Sequence, residues 1–135
     1  IKNGYIQLDW LAVANTTERP KLIIIVKKVT YSLSAGFSGY WAFIELDGSN
    51  YIAKLAGNVW GNPAYGQKLS IQLGYPKRIG VEIIGSSITY FVNGERRGSV
   101  VADSYLNRTA VGICGNSGSF TLDNLLVRPY TDMTE

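Results

Sequence analysis

The chain has 135 residues, of which 46% are hydrophobic and 17% charged, and its 13 basic and 10 acidic residues give a net charge of +3. These values are typical of one globular domain, residues 1–135, and they exclude an intrinsically disordered chain. The basic residues occur in scattered pairs such as Lys27-Lys28 and Arg96-Arg97 rather than in a stripe or patch. We therefore predict no nucleic-acid partner.

The chain contains no His and one Cys, Cys114, which excludes a Ser-His-Asp triad, a Cys-His dyad and a zinc site of the usual His/Cys type. The longest apolar run, Leu22–Val26, is far too short to insert across a membrane. The chain opens on Ile1, and N-glycosylation sequons begin at Asn15 and Asn107. We expect an exported protein, mature or excised from a longer chain, that acts outside the cell or at its surface.

Alternation of apolar and polar residues with a period of two recurs along the chain, as in a sandwich or barrel of β-strands. In the first such run Ile6, Leu8, Trp10 and Ala12 share one face and are predicted to lie in the core, and Leu22–Val26 is expected to be buried on both sides. The predicted strands are residues 5–14, 21–31, 40–46, 51–56, 67–73, 79–84, 88–92, 95–101, 110–114 and 120–128.

Turn residues separate these strands. Residues 47–50, Asp-Gly-Ser-Asn, predict a four-residue hairpin loop, and Asn93-Gly94 predicts a type I′ turn, in which both central residues need positive φ. The alternation slips at Asp123-Asn124, which predicts a β-bulge whose two polar side chains bond to neighbouring backbone.

Two segments carry a resemblance to a known fold. Residues 78–98, which contain Tyr90-Phe-Val-Asn-Gly94, resemble the hairpin pair of concanavalin A-like, laminin G-like jelly rolls. Residues 112–127, which contain Phe120-Thr-Leu-Asp-Asn124, are similar to the closing motif of those domains. The resemblance covers about residues 39–128 and implies an all-β, two-sheet antiparallel β-sandwich of the jelly-roll type. This fold hosts lectins, glycosidases, carbohydrate-binding modules and adhesion domains, so it leaves the function open.

A glycosidase is one alternative. Retaining laminarinase-type enzymes of this fold carry Glu-x-Asp-x-Glu or Glu-x-Asp-x-x-Glu on one strand, and Glu45 and Asp47 match the first two places. The third place falls on Ser49 or Asn50, neither of which can deliver a proton. We therefore predict no catalytic residue and a protein that is not an enzyme. Inverting chemistry would need Glu82 or Glu95 across a cleft.

The loop at residues 58–66 has the composition of a sugar-binding surface, because sugars present apolar C–H faces edged by hydroxyl groups. Trp60 and Tyr65 would be stacking platforms, with Asn58 and Asn62 as hydrogen-bonding edges. In the alternative, Trp60 folds back and plugs one end of the sandwich.

Two further ligand-binding residues are predicted from the strands. One of Tyr40 and Trp41 must face outward, and we assign Trp41 to the binding face. Arg96 follows the Asn93-Gly94 turn and could reach a hydroxylated or acidic ligand.

The predicted function is non-catalytic recognition of a glycan, a polysaccharide, by a lectin-like or carbohydrate-binding module that is secreted alone or attached to other domains. The main alternative is a structural or adhesive subunit of an extracellular filament, capsid or surface layer. We predict no cofactor and no metal ligand. The resemblance allows a structural calcium ion, for which the oxygen donors would be Asp47, Asn50, Asp123 and Asn124, spread thinly along the chain.

Overall fold

The computed structural model describes residues 3–14, 21–32, 36–56, 59–115 and 119–130. Within these residues the chain forms eleven β-strands and no helix that could cross a membrane. In chain order the strands are β1 (Gly4–Ala14), β2 (Lys21–Ser32), β3 (Gly36–Glu45), β4 (Asn50–Ala56), β5 (Val59–Trp60), β6 (Ala64–Tyr65), β7 (Lys77–Ile84), β8 (Ser87–Val92), β9 (Glu95–Val101), β10 (Ala110–Gly115) and β11 (Ser119–Pro129).

The strands form two antiparallel sheets. The five-stranded sheet has the order β11-β1-β7-β8-β9. The six-stranded sheet has the order β10-β2-β3-β4-β5, and β6 also pairs with β4. The all-β, two-sheet antiparallel sandwich predicted from the sequence is confirmed.

The core lies between the sheets and is built from the alternate residues of each strand. Ile6, Leu8, Trp10 and Ala12 of β1 are each at most 1% exposed, which confirms the face predicted for the first strand. Burial of one such large side chain contributes about 1.5–3 kcal/mol. Because every other residue of a strand points the opposite way, the same alternation decides which side chains reach the outer faces.

The segment Leu22–Val26 of β2 is buried on both sides, as predicted. Ile23 and Ile25 face away from the core, yet they are only 9% and 1% exposed. Phe43 and the partly buried Trp41, both on β3, pack with these two isoleucines. The outer face of the six-stranded sheet is therefore itself a packed apolar layer.

The prediction of a strand at residues 67–73 is wrong. The segment lies outside both sheets, and the Leu69 N–H donates to the carbonyl oxygen of Gly48 in the β3–β4 turn at 3.0 Å. Leu69 and Ile71 pack against the core, so their alternation reflects burial of a loop and not pairing in a sheet. Conversely, the loop predicted at residues 58–66 contains the short strands β5 and β6.

The predicted turn and bulge are confirmed. Asn93 and Gly94 have φ values of 52° and 81° in the β8–β9 turn. The β1–β11 register shifts between Gln7 and Asp9, and Asn124, at φ 55°, lies in the shifted segment. The Asp123 carboxylate accepts from the Asn124 N–H at 2.8 Å, as expected, whereas the Asn124 amide donates to the Asp9 side chain at 2.8 Å.

Candidate functional site

Five aromatic side chains lie on the outer face of the six-stranded sheet. On β3, Tyr40 points into the core, so the next residue, Trp41, points outward, as predicted. The same alternation places Phe43 on this outer face, and the strand pairing brings residues of β4, β5 and β6 beside it. We call this set the aromatic face; its members are Trp41, Phe43, Tyr51, Trp60 and Tyr65.

The rings of the aromatic face form one continuous chain of contacts. The Trp60 centroid lies 5.3 Å from that of Trp41, edge to face, and 5.5 Å from that of Phe43. Phe43 stacks on Tyr51 at 4.6 Å with an interplanar angle of 21°, and Tyr51 lies 5.5 Å from Tyr65. Each such pair contributes about 0.5–1.5 kcal/mol beyond simple burial, so the rings hold one another in place.

A groove of about 290 Å³ opens on this face between Trp60 and Tyr65. Ala53, only 1% exposed, forms its floor, because a methyl side chain leaves a depression between larger neighbours. The remaining lining comes from Tyr51, Gly61 and Pro63. Trp60 is 48% exposed and Tyr65 is 72% exposed, so both present ring surface to a ligand.

The two aromatic walls are positioned by pairing with β4. Trp60 lies opposite Leu55, and Tyr65 lies opposite Tyr51. Between them the Gly61 N–H donates to the carbonyl oxygen of Lys54 at 2.8 Å. Residues 61–63 lie outside the two short strands, and Pro63 among them has no N–H to donate, so this interruption separates the two walls.

A buried hydrogen bond between the sheets supports the Tyr65 side of the groove. The Tyr90 hydroxyl on β8 donates to Asn50 Oδ1 on β4 at 2.8 Å, and burial raises the pKa of Tyr90 to about 12. The Asn50 amide donates to the carbonyl oxygens of Gly48 and Gln67, both at 3.0 Å. A Cβ atom at Gly66 would collide with Asn50 Oδ1, so only glycine fits directly after Tyr65.

The predicted ligand-binding residues fall into three groups. Trp60, Tyr65 and Trp41 share the aromatic face, and Trp60 does not plug the end of the sandwich. Asn62 is exposed and lines a different cleft of about 390 Å³ on the far side of its loop. Arg96 lies on β9, in the five-stranded sheet, where it donates to Ser99 Oγ at 2.7 Å. The predicted residue 58, like the sequon at residue 15, lies outside the described residues.

Sequence reasoning missed Phe43 and Tyr51. Phe43 follows from the alternation within β3 that places Trp41 outward, whereas Tyr51 lies beside it through the pairing of β3 with β4. Sequence reasoning also missed a polar pair beside them. Lys21 Nζ lies 3.3 Å from Glu45 Oε1 and 5.6 Å from the centre of the Phe43 ring. A charged pair therefore borders the aromatic face where β2 and β3 lie side by side.

The carboxylates considered for catalysis each have a partner within the protein. Asp47 lies in the β3–β4 turn, where it accepts from the Ser49 N–H at 2.9 Å, while Glu45 is paired with Lys21. Glu82 lies on β7 in the other sheet and accepts from the Tyr130 hydroxyl at 2.7 Å.

The candidate calcium donors are divided between two parts of the fold. Asn50 and Asp47 lie at the β3–β4 turn, whereas Asp123 and Asn124 lie on β11. Both Asn50 side-chain atoms are already bonded within the protein. Across the described part of the chain, no three His, Cys, Asp or Glu residues group as a metal site would require.

Comparisons with known proteins add the fold relationship. No protein-family model and no curated protein matches the chain. Among solved structures, a variant of human galectin-16 has a TM-score of 0.70 at 12% identity, over 93% of this chain and 86% of that one. A tetrameric galectin from the ball sponge Cinachyrella sp. has a TM-score of 0.66 at 16% identity, over 95% of this chain and 93% of that one.

A third similar structure is a carbohydrate-binding module, CBM66 from Bacillus subtilis. It has a TM-score of 0.66 at 10% identity, over 93% of this chain and 74% of that one. The chain therefore has the concanavalin A-like jelly-roll fold that its sequence resembles, in common with these galectins and this module.

Proposed function

We propose that the chain is a non-catalytic glycan-binding module whose ligand lies in the groove between Trp60 and Tyr65. One observation carries the proposal: two exposed aromatic rings flank a groove with a small apolar floor, on a packed sheet. A sugar ring offers an apolar C–H face to such rings, and the walls can each stack against one ring of an oligosaccharide.

The surroundings of the groove support this function. The aromatic contacts and the Tyr90–Asn50 bond hold the walls before a ligand arrives, which lowers the entropic cost of binding. The similar solved structures are named as galectins and as a carbohydrate-binding module, which agrees with a glycan ligand.

The groove also lacks the groups that hydrolysis of a glycan needs. A retaining glycosidase uses two carboxyl groups about 5–5.5 Å apart on either side of the scissile bond. None of the described residues that line this groove carries a carboxyl group. Recognition without turnover is therefore the activity that these side chains favour.

A polysaccharide ligand also favours a location outside the cell or at its surface. Attachment to further domains of a larger chain would then bring those domains to the polysaccharide. Both statements are part of the proposal.

The test is retention of the protein on immobilised or gel-embedded polysaccharides, with a glycan array to define the sugar. We expect the wild type to be retained on at least one polysaccharide and Trp60→Ala to lose that retention. Tyr75→Ala is the control, because Tyr75 is 64% exposed in a turn outside the groove. Absence of retention across a broad panel, or equal retention of Trp60→Ala, would contradict the proposal.

A second candidate function, self-assembly as a structural subunit, is favoured by one observation. β11 is an edge strand of the five-stranded sheet, and four of its apolar side chains are 42–61% exposed, namely Leu122, Leu125, Leu126 and Val127. A second copy of the chain that paired along this edge would bury them. Sedimentation at increasing concentration tests this function: dimers that Leu125→Asp dissociates would support it, and a monomer at all concentrations would refute it.

A further inference from the structure

A second, polar pocket lies on the outer face of the five-stranded sheet, away from the aromatic groove. It has a volume of about 490 Å³ and is lined by Gln7 and Asp9 of β1, Arg78 of β7, and the turn residues Pro76, Asn93 and Gly94. The β1–β7 register places Asp9 directly opposite Arg78, and Gln7 opposite Gly80.

The side-chain hydrogen-bond acceptors in this pocket are already used within the protein. The Asp9 carboxylate accepts from Arg78 Nε at 3.0 Å and from the Asn124 amide at 2.8 Å. These hydrogen bonds, that from Arg78 first, hold the pKa of Asp9 below its ordinary value, so the carboxylate stays ionised. Asn93 Oδ1 accepts from the Arg78 N–H at 2.9 Å.

Gln7 is oriented by its neighbour Tyr5. The Tyr5 hydroxyl donates to Gln7 Oε1 at 3.0 Å, which turns the amide nitrogen the other way. The ring can take this position because it lies directly over Gly80, where a Cβ atom would collide with it. Phe91 holds the ring from the side, edge to face, at a centroid distance of 6.1 Å.

The donors in the pocket, in contrast, remain available. In the described part of the chain, no hydrogen bond engages Gln7 Nε2, Asn93 Nδ2 or Arg78 Nη1. Arg78 donates to Asp9 from Nε and from the Nη2 hydrogen beside it. The other Nη2 hydrogen and Nη1 form the opposite edge of the guanidinium, which is free for a second bidentate partner. A group that only accepts hydrogen bonds suits such a pocket better than a hydroxyl group, which also donates.

We propose that this pocket is a second ligand site, which binds an oxyanion, a carboxylate or a sulfate group, through the free edge of Arg78 and the amides of Gln7 and Asn93. Asp9 neutralises Arg78 and fixes its orientation, so specificity comes from the directed donors and not from net charge. The site does not depend on the aromatic groove, because the two lie on the outer faces of different sheets.

Two nearly isosteric substitutions test the proposal without disturbing the fold. Asn93→Asp keeps a turn residue that tolerates positive φ and keeps the acceptor for the Arg78 N–H, but it replaces the amide donor by a carboxylate oxygen. Gln7→Glu likewise keeps the acceptor for Tyr5 and removes the donor. The matched controls are Asn107→Asp and Gln72→Glu, which make the same changes at exposed positions outside the pocket.

The measurement is a titration of the side-chain amide resonances of the full chain by NMR. The probes are sodium acetate, sodium sulfate, and a glucuronic acid oligosaccharide with its methyl ester as the neutral match. We expect the Gln7 and Asn93 amides to shift with at least one anionic probe but not with the ester. Each pocket substitution should weaken binding about tenfold or more, which corresponds to about 1.4 kcal/mol or more, and the controls should bind like the wild type.

The comparison of these probes also distinguishes a free anion from the acidic group of a sugar. Binding of acetate or sulfate alone would identify a site for a free anion, and markedly tighter binding of the oligosaccharide would identify an acidic sugar; either result supports the proposal. Absence of a shift at millimolar concentrations, equal binding of the methyl ester, or unchanged binding by both Asn93→Asp and Gln7→Glu would overturn it.

Discussion

Removal of one hydroxyl group, in Tyr90→Phe, tests how the two sheets are held together. Tyr90 and Asn50 are each 1% exposed, and the Tyr90 hydroxyl is the donor to Asn50 Oδ1. Phenylalanine keeps the ring and its packing but leaves that oxygen buried without its donor. A buried polar atom without a partner costs about 1–3 kcal/mol. In a domain of this size, a loss of about 1 kcal/mol lowers the melting temperature by about 4 °C. We therefore expect the melting temperature at neutral pH to fall by about 4–12 °C.

The same substitution has a second, opposite signature at alkaline pH. The pKa of Tyr90 is raised by burial from 10 to about 12 in the folded protein. Between these values an unfolded chain releases the proton while the folded chain keeps it, so the folded state loses stability as the pH rises through this window. Phenylalanine cannot ionise. We therefore expect the stability deficit of Tyr90→Phe to narrow between pH 10 and 12.

Thermal unfolding of both proteins, followed by circular dichroism from neutral pH to the alkaline limit, measures the two effects together. Tyr75→Phe is the control, because it removes the same hydroxyl from an exposed ring. Suppose that Tyr90→Phe has the melting temperature of the wild type at neutral pH and that this temperature falls equally steeply at alkaline pH. The Asn50–Tyr90 bond then does not stabilise the fold, and this reasoning is refuted.

Three further substitutions have defined outcomes. Gly80→Ala should lower the free energy of unfolding in urea by about 1–3 kcal/mol, because the new Cβ displaces the Tyr5 ring. This loss should largely disappear when Tyr5→Ala is also present, and an undiminished loss would show that the strain lies elsewhere. In Asp103→Asn, the melting temperature should fall less steeply than that of the wild type between pH 3.8 and about 2. Hydrogen bonds, that from Lys54 first, lower the pKa of Asp103 from 3.8 to about 2, so its contribution to stability is lost as the pH falls through this range. Melting temperatures across this range check the prediction, and an unchanged slope would contradict it. Trp60→Phe should weaken binding about tenfold or less for a polysaccharide that retains the wild type, since part of the stacking area remains. Calorimetry measures this affinity, and complete loss of binding would indicate that the indole N–H makes the essential contact.

The sequence predicts the sandwich well because strand alternation is a local signal. The burial of Trp10 and the outward direction of Trp41 both depend only on whether a residue is odd or even within its own strand. The Asn93-Gly94 turn is equally local, since two adjacent residues suffice to define it. The exposure of Trp60 and Tyr65 is also a local feature, since both lie in one short segment rich in Gly, Asn and aromatic residues.

Relations between distant strands could not be predicted in this way. The hairpin signal places Arg96 next to β8, but it does not say which of the two sheets that hairpin joins. The pairing of residues 59–60 and 64–65 with β4 was missed because a two-residue strand has no period to detect. The predicted strand at residues 67–73 fails for the opposite reason: alternation shows burial, and Leu69 is partly buried against the core without joining a ladder.

The groove is shaped by one sheet but held in place by both. Its walls and floor belong to β4, β5 and β6, at the edge of the six-stranded sheet, and an edge segment is the part of a sheet that separates most readily. Tyr90 reaches this edge from the five-stranded sheet, and its partner Asn50 also bonds the backbone of Gln67 just beyond the Tyr65 wall. The proposed binding groove therefore depends on a tyrosine that is 1% exposed and that no ligand in the groove would touch.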